Sequence, residues 1–425
     1  MNYPETLDGW LELLENRVGA PIRLGLERVA AVRQALNASS EALIITVGGT
    51  NGKGSTCAML EAILIAAGYR VGCYTSPHLL RYNERVRING REVDDASLVA
   101  AFSAVERARG DTPLTYFEQG TLAAWLAFSQ QPLDVLILEV GLGGRLDAVN
   151  VFDADCAIVT SVAMDHMEYL GGTRDEIGFE KAGIFRPGRP AICSDPLAPK
   201  SLVVHAREIG ADLKLVGEDF GFSGDRTQWV WWHRHGARRG GLAYPALRGA
   251  NQLLNAAAVL MALECVRDRL PVSMQAVREG MLLVDLPGRF QVLPGRPSVV
   301  LDVAHNPQAA GVLSENLSNM GYFPETWAVL GMLADKDVEE VFRLIAGRVD
   351  HWLLAGLPGP RGLSAPALAE RLRSAGMTGE AQCFDNPAEA FGAAQKSAGE
   401  GDRIVAFGSF LTVADVLRAV RAARR

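Results

Sequence analysis

The sequence predicts an α/β protein, with a P-loop-type parallel-sheet domain followed by a smaller Rossmann-like α/β domain. Three observations carry that reading. Residues 43–47, 134–140 and 156–162 are apolar and β-branched runs without polar alternation, as strands covered on both faces require. Helical patterns lie between them, so neighbouring strands run parallel. The first run leads directly into Gly48-Gly49-Thr50-Asn51-Gly52-Lys53-Gly54-Ser55, and a helical pattern follows as far as Gly68.

A chain of 425 residues, 48% hydrophobic and 21% charged, is large enough for two or three domains with their own cores. The net charge of −7 removes any overall attraction to nucleic acid or an anionic membrane, so neither is expected as a partner. Six cysteines at 57, 73, 156, 193, 265 and 383 show no C-x-x-C spacing, which fits buried thiols of a cytoplasmic protein. The acidic start MNYPETLDGW and the absence of any long apolar run predict neither signal peptide nor membrane span.

Taken in order, Leu7, Trp10, Leu11 and Leu14 have helical spacing, and a second helix is expected over 26–36, with Pro21–Gly25 as a loop between them. Residues 70–74 read as a strand, 95–107 and 117–128 as helices. The strand 134–140 ends in Glu139 and Gly141-Leu142-Gly143-Gly144, and the strand 156–162 is followed by Asp165 and His166. The Trp229-Val230-Trp231-Trp232 stretch and its flanks read as an antiparallel excursion with Arg234, Arg238 and Arg239 at a solvated tip. Helices return at 251–269 and 273–282. The Pro and Gly of 287–297 mark a linker between a first domain, 1–286, and a second, 298–425. In the latter, strands are expected at 299–303, 327–330, 351–355, 381–384 and 403–407.

Open parallel sheets gather ligands at the carboxyl ends of their strands. That edge would hold the glycine loop, Glu139 and His166. Glycines 52 and 54 let the backbone approach phosphate oxygens, Lys53 adds a point charge, and Ser55 or Thr56 offers a hydroxyl to Mg²⁺. The loop departs from G-x-x-x-x-G-K-[ST], because three residues separate Gly48 from Gly52 and Gly54 follows the lysine. Lys181, in GFEKAGIF, reads as a mid-helix lysine. The residues alone therefore define a Mg-ATP-dependent enzyme and leave open whether it is a transferase or a ligase.

The segments GGTNGKGST, TSPHLLRYNERVRING, LTYFEQGTL, LEVGLGGRLDAVN, TSVAMDH, EKAGIF, LPGRFQ, DVAHNP, GMLADKD and GSF occur in this order. In that combination the chain resembles the folylpolyglutamate synthase/dihydrofolate synthase family of the Mur-ligase superfamily, from about residue 24 to the C-terminus. GTNGKG alone indicates only the superfamily.

The resemblance implies an ATP-dependent ligase that adds L-glutamate to dihydropteroate and to tetrahydrofolate and its polyglutamates, acting as a monomer. ATP would lie on Gly49, Thr50, Asn51, Gly52, Lys53, Gly54 and Ser55, with Asn251, Arg289 and Asp302 also touching nucleotide. Mg²⁺, two ions of it, would be held by Ser76, Glu139, His166 and Lys181, the last as a carbamate. Lys53, Lys181 and His166 are then the catalytic set. Pro21, Ile22, Arg23, Leu24, Thr115, Phe117, Leu146, Asp147 and Ala148 would line the pteroate pocket, and Arg85, His305 and Ser409 the glutamate site. Arg23 stands where close bacterial bifunctional relatives carry an aspartate. The acceptor's carboxylate would take the γ-phosphoryl group of ATP, and the acyl phosphate would then yield to the glutamate amine while the second domain shields it from water. The competing readings are a Mur-type ligase with another carboxylate substrate and a nucleotide-binding switch without turnover.

Overall fold

A computed structural model describes residues 3–17, 23–225, 227–236, 238–249, 251–377 and 381–423. Two compact units emerge: Met1–Ala246 with Leu253–Val284, and Leu247–Gln252 with Asp285–Arg425. No helix among the described residues is long and apolar enough to cross a membrane.

The first unit is built on strands β1 (Leu43–Gly48), β2 (Val71–Tyr74), β3 (Val86–Ile88), β4 (Arg91–Glu92), β5 (Val135–Glu139), β6 (Cys156–Val159), β7 (Pro190–Cys193) and β8 (Asp212–Leu215). Their order is β4-β3-β2-β5-β1-β6-β7-β8. The run from β2 to β8 is parallel, and β3 and β4 add an antiparallel edge. All six residues of β1 are buried, which explains the absence of alternation in its sequence. The chain moves to opposite sides of β1 to form β5 and β6, and a crevice opens at such a reversal. The short strands β3, β4, β7 and β8 were not expected from the sequence.

Strands β9 (Phe220–Gly224), β10 (Trp229–His233) and β11 (Arg239–Leu242) form the expected antiparallel excursion. Its cations are not all at a solvated tip. Arg239 lies over the Trp231 ring, 5.4 Å from its centroid, and pairs with Glu264 of the helix Gln252–Cys265. Trp229 and Trp231 are fully buried, so this small sheet is anchored by aromatic burial.

The second unit holds β12 (Gln291–Leu293), β13 (Ser298–Leu301), β14 (Thr326–Leu330), β15 (His351–Ala355), β16 (Ala381–Phe384) and β17 (Arg403–Phe407), in the order β12-β13-β17-β14-β15-β16. Residues 287–297 are therefore not a free linker. Phe290 is buried in the second core with Val292 packed against it, and β12 pairs antiparallel with β13. The division falls after Val284, and Leu247–Gln252 also goes with the second unit. Of the six cysteines, Cys57, Cys73, Cys156 and Cys193 are buried as free thiols, Cys265 is partly covered and Cys383 is exposed.

The helix Lys53–Ala66 that follows β1 is backed by the helix Met274–Leu283. Gly280 permits this approach, because a Cβ there would lie 2.5 Å from Ile63 Cα and 2.6 Å from Ile63 N. Gly280→Ala is expected to lower stability by about 1–3 kcal/mol, the usual range for an overpacked contact. Urea unfolding measures it, and an unchanged midpoint would show that the two helices have room to part.

Candidate functional site

The glycine loop bridges β1 and the Lys53 helix, and its shape is set by close packing. Gly49 has φ +135°, and a Cβ there would sit 1.9 Å from Thr160 Oγ1. Gly52 has φ +91° and serves as the helix N-cap without any side-chain cap bond. The N-cap residue thus has no side chain of its own to cover the start of the helix, a position at which backbone N–H groups receive anions. A Cβ on Gly52 would also meet Asn255 Oδ1 at 2.6 Å. Lys53 curls back so that Nζ donates to Gly49 O at 3.0 Å and to Thr50 O at 3.1 Å. The segment after β6 is laced to this loop: Thr50 N donates to Ser161 O at 2.7 Å, Asn51 N to Ser161 Oγ at 3.0 Å, and Thr160 Oγ1 to Asn51 O at 2.7 Å. Ser55 is buried just inside the helix.

The carboxyl ends of β2, β5 and β6 bring Ser76, Glu139 and His166 to the same edge of the sheet. Glu139 is buried and pairs in register with Val47 of β1, and its Oε2 accepts the Ser76 N–H at 3.0 Å. His166 adopts φ +50° at the start of the short helix Met167–Leu170, with Asp165 Oδ1 accepting its N–H at 3.0 Å. Lys181 differs from the sequence expectation. It lies in the last turn of the helix Arg174–Ala182, and it is only 3% exposed. Burial pushes its amine down to about 7, the neighbouring Lys53 pushes the same way, and Asp165 and Asp147 oppose them. A solvent-facing helix lysine is thereby excluded. Its position is fixed by the glycine loop after β5, since a Cβ on Gly144 would meet Glu180 O at 2.8 Å and Lys181 O at 3.0 Å. Asn150 closes the same junction by donating to Arg145 O and to Gly183 O, both at 3.0 Å.

A second group gathers beside this edge. Thr115 caps the helix Tyr116–Ser129 in a capping box with Glu118. Arg28 donates to Glu118 Oε1 from Nη2 at 2.7 Å and to Arg23 O at 2.7 Å, so the 23–28 segment is tied to that helix. Gly25 N donates to Leu146 O at 3.3 Å, which joins the Leu146–Ala148 stretch to the same segment. Asp147 is buried, accepts the N–H groups of Leu142 and Val149 at 2.8 and 3.0 Å, and has its carboxyl raised to about 6 by burial. Phe117 covers the loop after β5, because a Cβ on Gly141 would lie 2.6 Å from its ring. The structure thus brings Arg23, Thr115, Phe117, Leu146, Asp147 and Ala148 together, and Leu24 lies within the tied segment. Pro21 and Ile22 lie outside the described residues.

Arg85 belongs to the first unit, where it is buried, donates to His78 Nδ1 at 2.9 Å and lies over the Tyr82 and Tyr116 rings. His305 and Ser409 belong to the second unit, so the three expected glutamate-site residues come from both. In that second unit Asp302 accepts the N–H groups of Phe290 and Ala304, each at 2.8 Å, and burial raises its carboxyl to about 6 against the pull of Arg289. The Arg289 guanidinium lies 4.9 Å from the Phe410 ring centroid, and the His305 ring lies 6.3 Å from the same ring. Asn251 precedes the helix Gln252–Cys265 and abuts Gly249, whereas Asn255, one turn later, is the residue that meets the glycine loop. Sequence reasoning passed over Asn255, Arg28 and Glu118. The capping pattern T-x-x-E pointed to Glu118, whereas nothing in the sequence set Asn255 apart from the amides of Asn251 and Gln252 on the same helix face. Arg28 had no local signal.

A glycine loop on a parallel sheet, a carboxylate at the next strand end and a second α/β unit define the class, and two family descriptions match in that order. Residues 47–195 match the Mur ligase middle domain, and residues 288–410 match the Mur ligase, glutamate ligase domain. The particular branch follows from whole-chain likeness. The dihydrofolate synthase/folylpolyglutamate synthase of Escherichia coli K12 is 45% identical over 419 residues, covering 98% of this chain and 96% of that protein. The structure of E. coli FolC in complex with DHPP and ADP superposes with a TM-score of 0.95 at 44% identity, covering 100% of both chains. A bifunctional folylpolyglutamate synthase/dihydrofolate synthase with Mn, AMPPNP and L-glutamate bound gives 0.92 at 45% identity, covering 99% of this chain and 100% of that one. The chain belongs to the dihydrofolate synthase/folylpolyglutamate synthase family.

Gly52→Ala is expected to weaken ADP binding roughly tenfold, because the new Cβ both opposes the left-handed backbone and strikes Asn255. Calorimetric titration with ADP measures this, and wild-type affinity in the variant would remove the loop's shape from the account.

Proposed function

We propose that this chain is an ATP-dependent ligase that joins L-glutamate to dihydropteroate and to reduced folates. What supports the reading is a glycine N-cap at Gly52 followed by Lys53, the Ser76–Glu139 pair, Asp165-His166 and the buried Lys181, on or beside segments that follow four neighbouring parallel strands. Family membership and the Mn, AMPPNP and glutamate complex of a 45% identical relative support the same chemistry.

The residues present fit both ATP and Mg²⁺. The cradle at Gly49 and Gly52 has no room for side chains, and its donors suit phosphate oxygens. Ser76, Glu139 and His166 would supply oxygen and nitrogen donors. Mg²⁺ characteristically takes few protein ligands and keeps water and phosphate oxygens. When bound, the metal would neutralise the negative charge of the phosphates as a carboxylate approaches them.

Each group of residues then has its task. Lys53 turns from the Gly49 and Thr50 carbonyls toward the phosphates. Arg23, Leu24, Thr115, Phe117 and Leu146–Ala148 orient the pterin-bearing acceptor so that its carboxylate meets the terminal phosphoryl group. Arg85, His305 and Ser409 receive glutamate, and Asn251, Arg289 and Asp302 contact nucleotide. The acceptor carboxylate becomes an acyl phosphate with release of ADP, and the glutamate amine displaces phosphate to form the amide. Lys181 enters as a carbamate. Its depressed amine supplies the neutral form that reacts with CO₂, and the product, on loss of a proton, exchanges a cation for an oxygen donor near Asp165 and Asp147. We take the enzyme to work as a cytoplasmic monomer on small molecules, consistent with its buried free thiols and its net charge of −7.

The test is ADP release. Turnover is expected only when ATP, L-glutamate and either dihydropteroate or tetrahydrofolate are all present. Nucleotide binding with no ADP formation under any of these conditions would instead favour a nucleotide switch, and ADP formation indifferent to the acceptor would refute the folate assignment.

A further inference from the structure

Arg87, on β3, belongs to none of the groups above, yet its guanidinium is fully engaged. Nε donates to Glu61 Oε2 at 2.9 Å, and Nη2 donates to the same oxygen at 2.7 Å and to Cys73 Sγ at 3.3 Å. Nη1 donates to Thr75 Oγ1 at 3.1 Å and to Glu84 O at 2.8 Å. Each of the five N–H groups of an arginine therefore has an acceptor. The ion pair is largely withdrawn from water, with side chains 16% and 8% exposed for Arg87 and Glu61.

The acceptors belong to different parts of the site. Glu61 lies on the helix Lys53–Ala66, two turns beyond the phosphate loop, whereas Thr75 immediately precedes Ser76, whose N–H is held by Glu139. One planar group thus fixes the distance between the phosphate helix and the turn at the end of β2. A lysine in its place would offer three donors on a flexible stem and could not serve both partners in this geometry.

We infer that Arg87 is a positioning residue, which holds the Thr75-Ser76 turn in register with the phosphate helix through Glu61 and so sets the affinity for the divalent cation that accompanies nucleotide. The inference rests on the assignment of Ser76 to the metal, and the experiment separates the two. Mn²⁺ binding in the presence of AMPPNP is measured by electron paramagnetic resonance for the wild type and for Ser76→Ala, Thr75→Val, Thr75→Ser and Arg87→Lys, with thermal unfolding in parallel. Thr75→Val removes the link from the guanidinium to the turn, together with the hydroxyl's own long donation to Glu84 O at 3.4 Å, and leaves the Arg87–Glu61 pair in place, so it remains informative if Arg87→Lys fails to fold with Glu61 poorly paired. Thr75→Val and Arg87→Lys are expected to weaken Mn²⁺ roughly three- to tenfold, the effect of losing one hydrogen bond, while Thr75→Ser retains wild-type affinity. If Ser76→Ala weakens Mn²⁺ but Thr75→Val binds it normally, Arg87 is merely structural and the inference fails. If Ser76→Ala itself binds Mn²⁺ normally, the metal assignment falls and takes the inference with it.

Discussion

A lysine amine sealed into the end of a parallel sheet, with a second lysine nearby, is the constraint on which this site depends. Lys181 is 3% exposed, and the fall of its amine from 10.5 to about 7 corresponds to a bias on the order of 5 kcal/mol against the charged form. Asp165 and Asp147 oppose that bias without overcoming it. The packing that produces the burial is specific. The glycines after β5 bring backbone against the end of the Lys181 helix, and Asn150 bonds across the junction. A side chain at Gly144 or Gly183 would part the two pieces, since Cβ atoms there would lie 2.8 Å from Glu180 O and 2.4 Å from Arg145 Cβ respectively.

The same edge explains why the remaining groups need so few residues. Parallel strands deliver their carboxyl ends side by side, so β1, β2, β5 and β6 each contribute a short loop. The loops after β1 and β6 share hydrogen bonds through Thr50, Asn51, Thr160 and Ser161, which makes the phosphate cradle and the Asp165-His166 turn one bonded piece. Residues 23–28 and 146–148 are joined to it through the loop after β5 and are braced by the Arg28–Glu118 pair. Charge placement then does most of the chemistry, as phosphoryl transfer requires.

Much of this was legible in the sequence, for physical reasons that differ by element. The buried strands announced themselves by the lack of alternation in 43–47, 134–140 and 156–162, and the glycine loop by its place between strand and helix. Residues 287–297 misled because Pro and Gly density signals a turn without excluding a short edge strand such as β12, whose partner lies in the following strand. Helical periodicity gave Lys181 a face and said nothing of what covers it, so its burial rested on the motif resemblance until the structure showed it. Arg87, Arg28 and Asn255 were invisible as functional residues, because their partners lie 26, 90 and more than 200 positions away in sequence, at Glu61, Glu118 and Gly52. The motif resemblance suggested the residue roles, and the structure shows how the segments that carry them are tied together.

The most direct test of this account is a search for the carbamate itself. The protein would be equilibrated with ¹³C-bicarbonate and observed by ¹³C NMR at pH 8 and pH 6, with Lys181→Met as control. With the amine lowered to about 7, the neutral form gains ground as the pH rises from 6 to 8, and only the neutral form reacts. A carbamate resonance is therefore expected at pH 8, diminished at pH 6 and absent in Lys181→Met. No such resonance in the wild type at pH 8, or one that persists in Lys181→Met, would contradict the account.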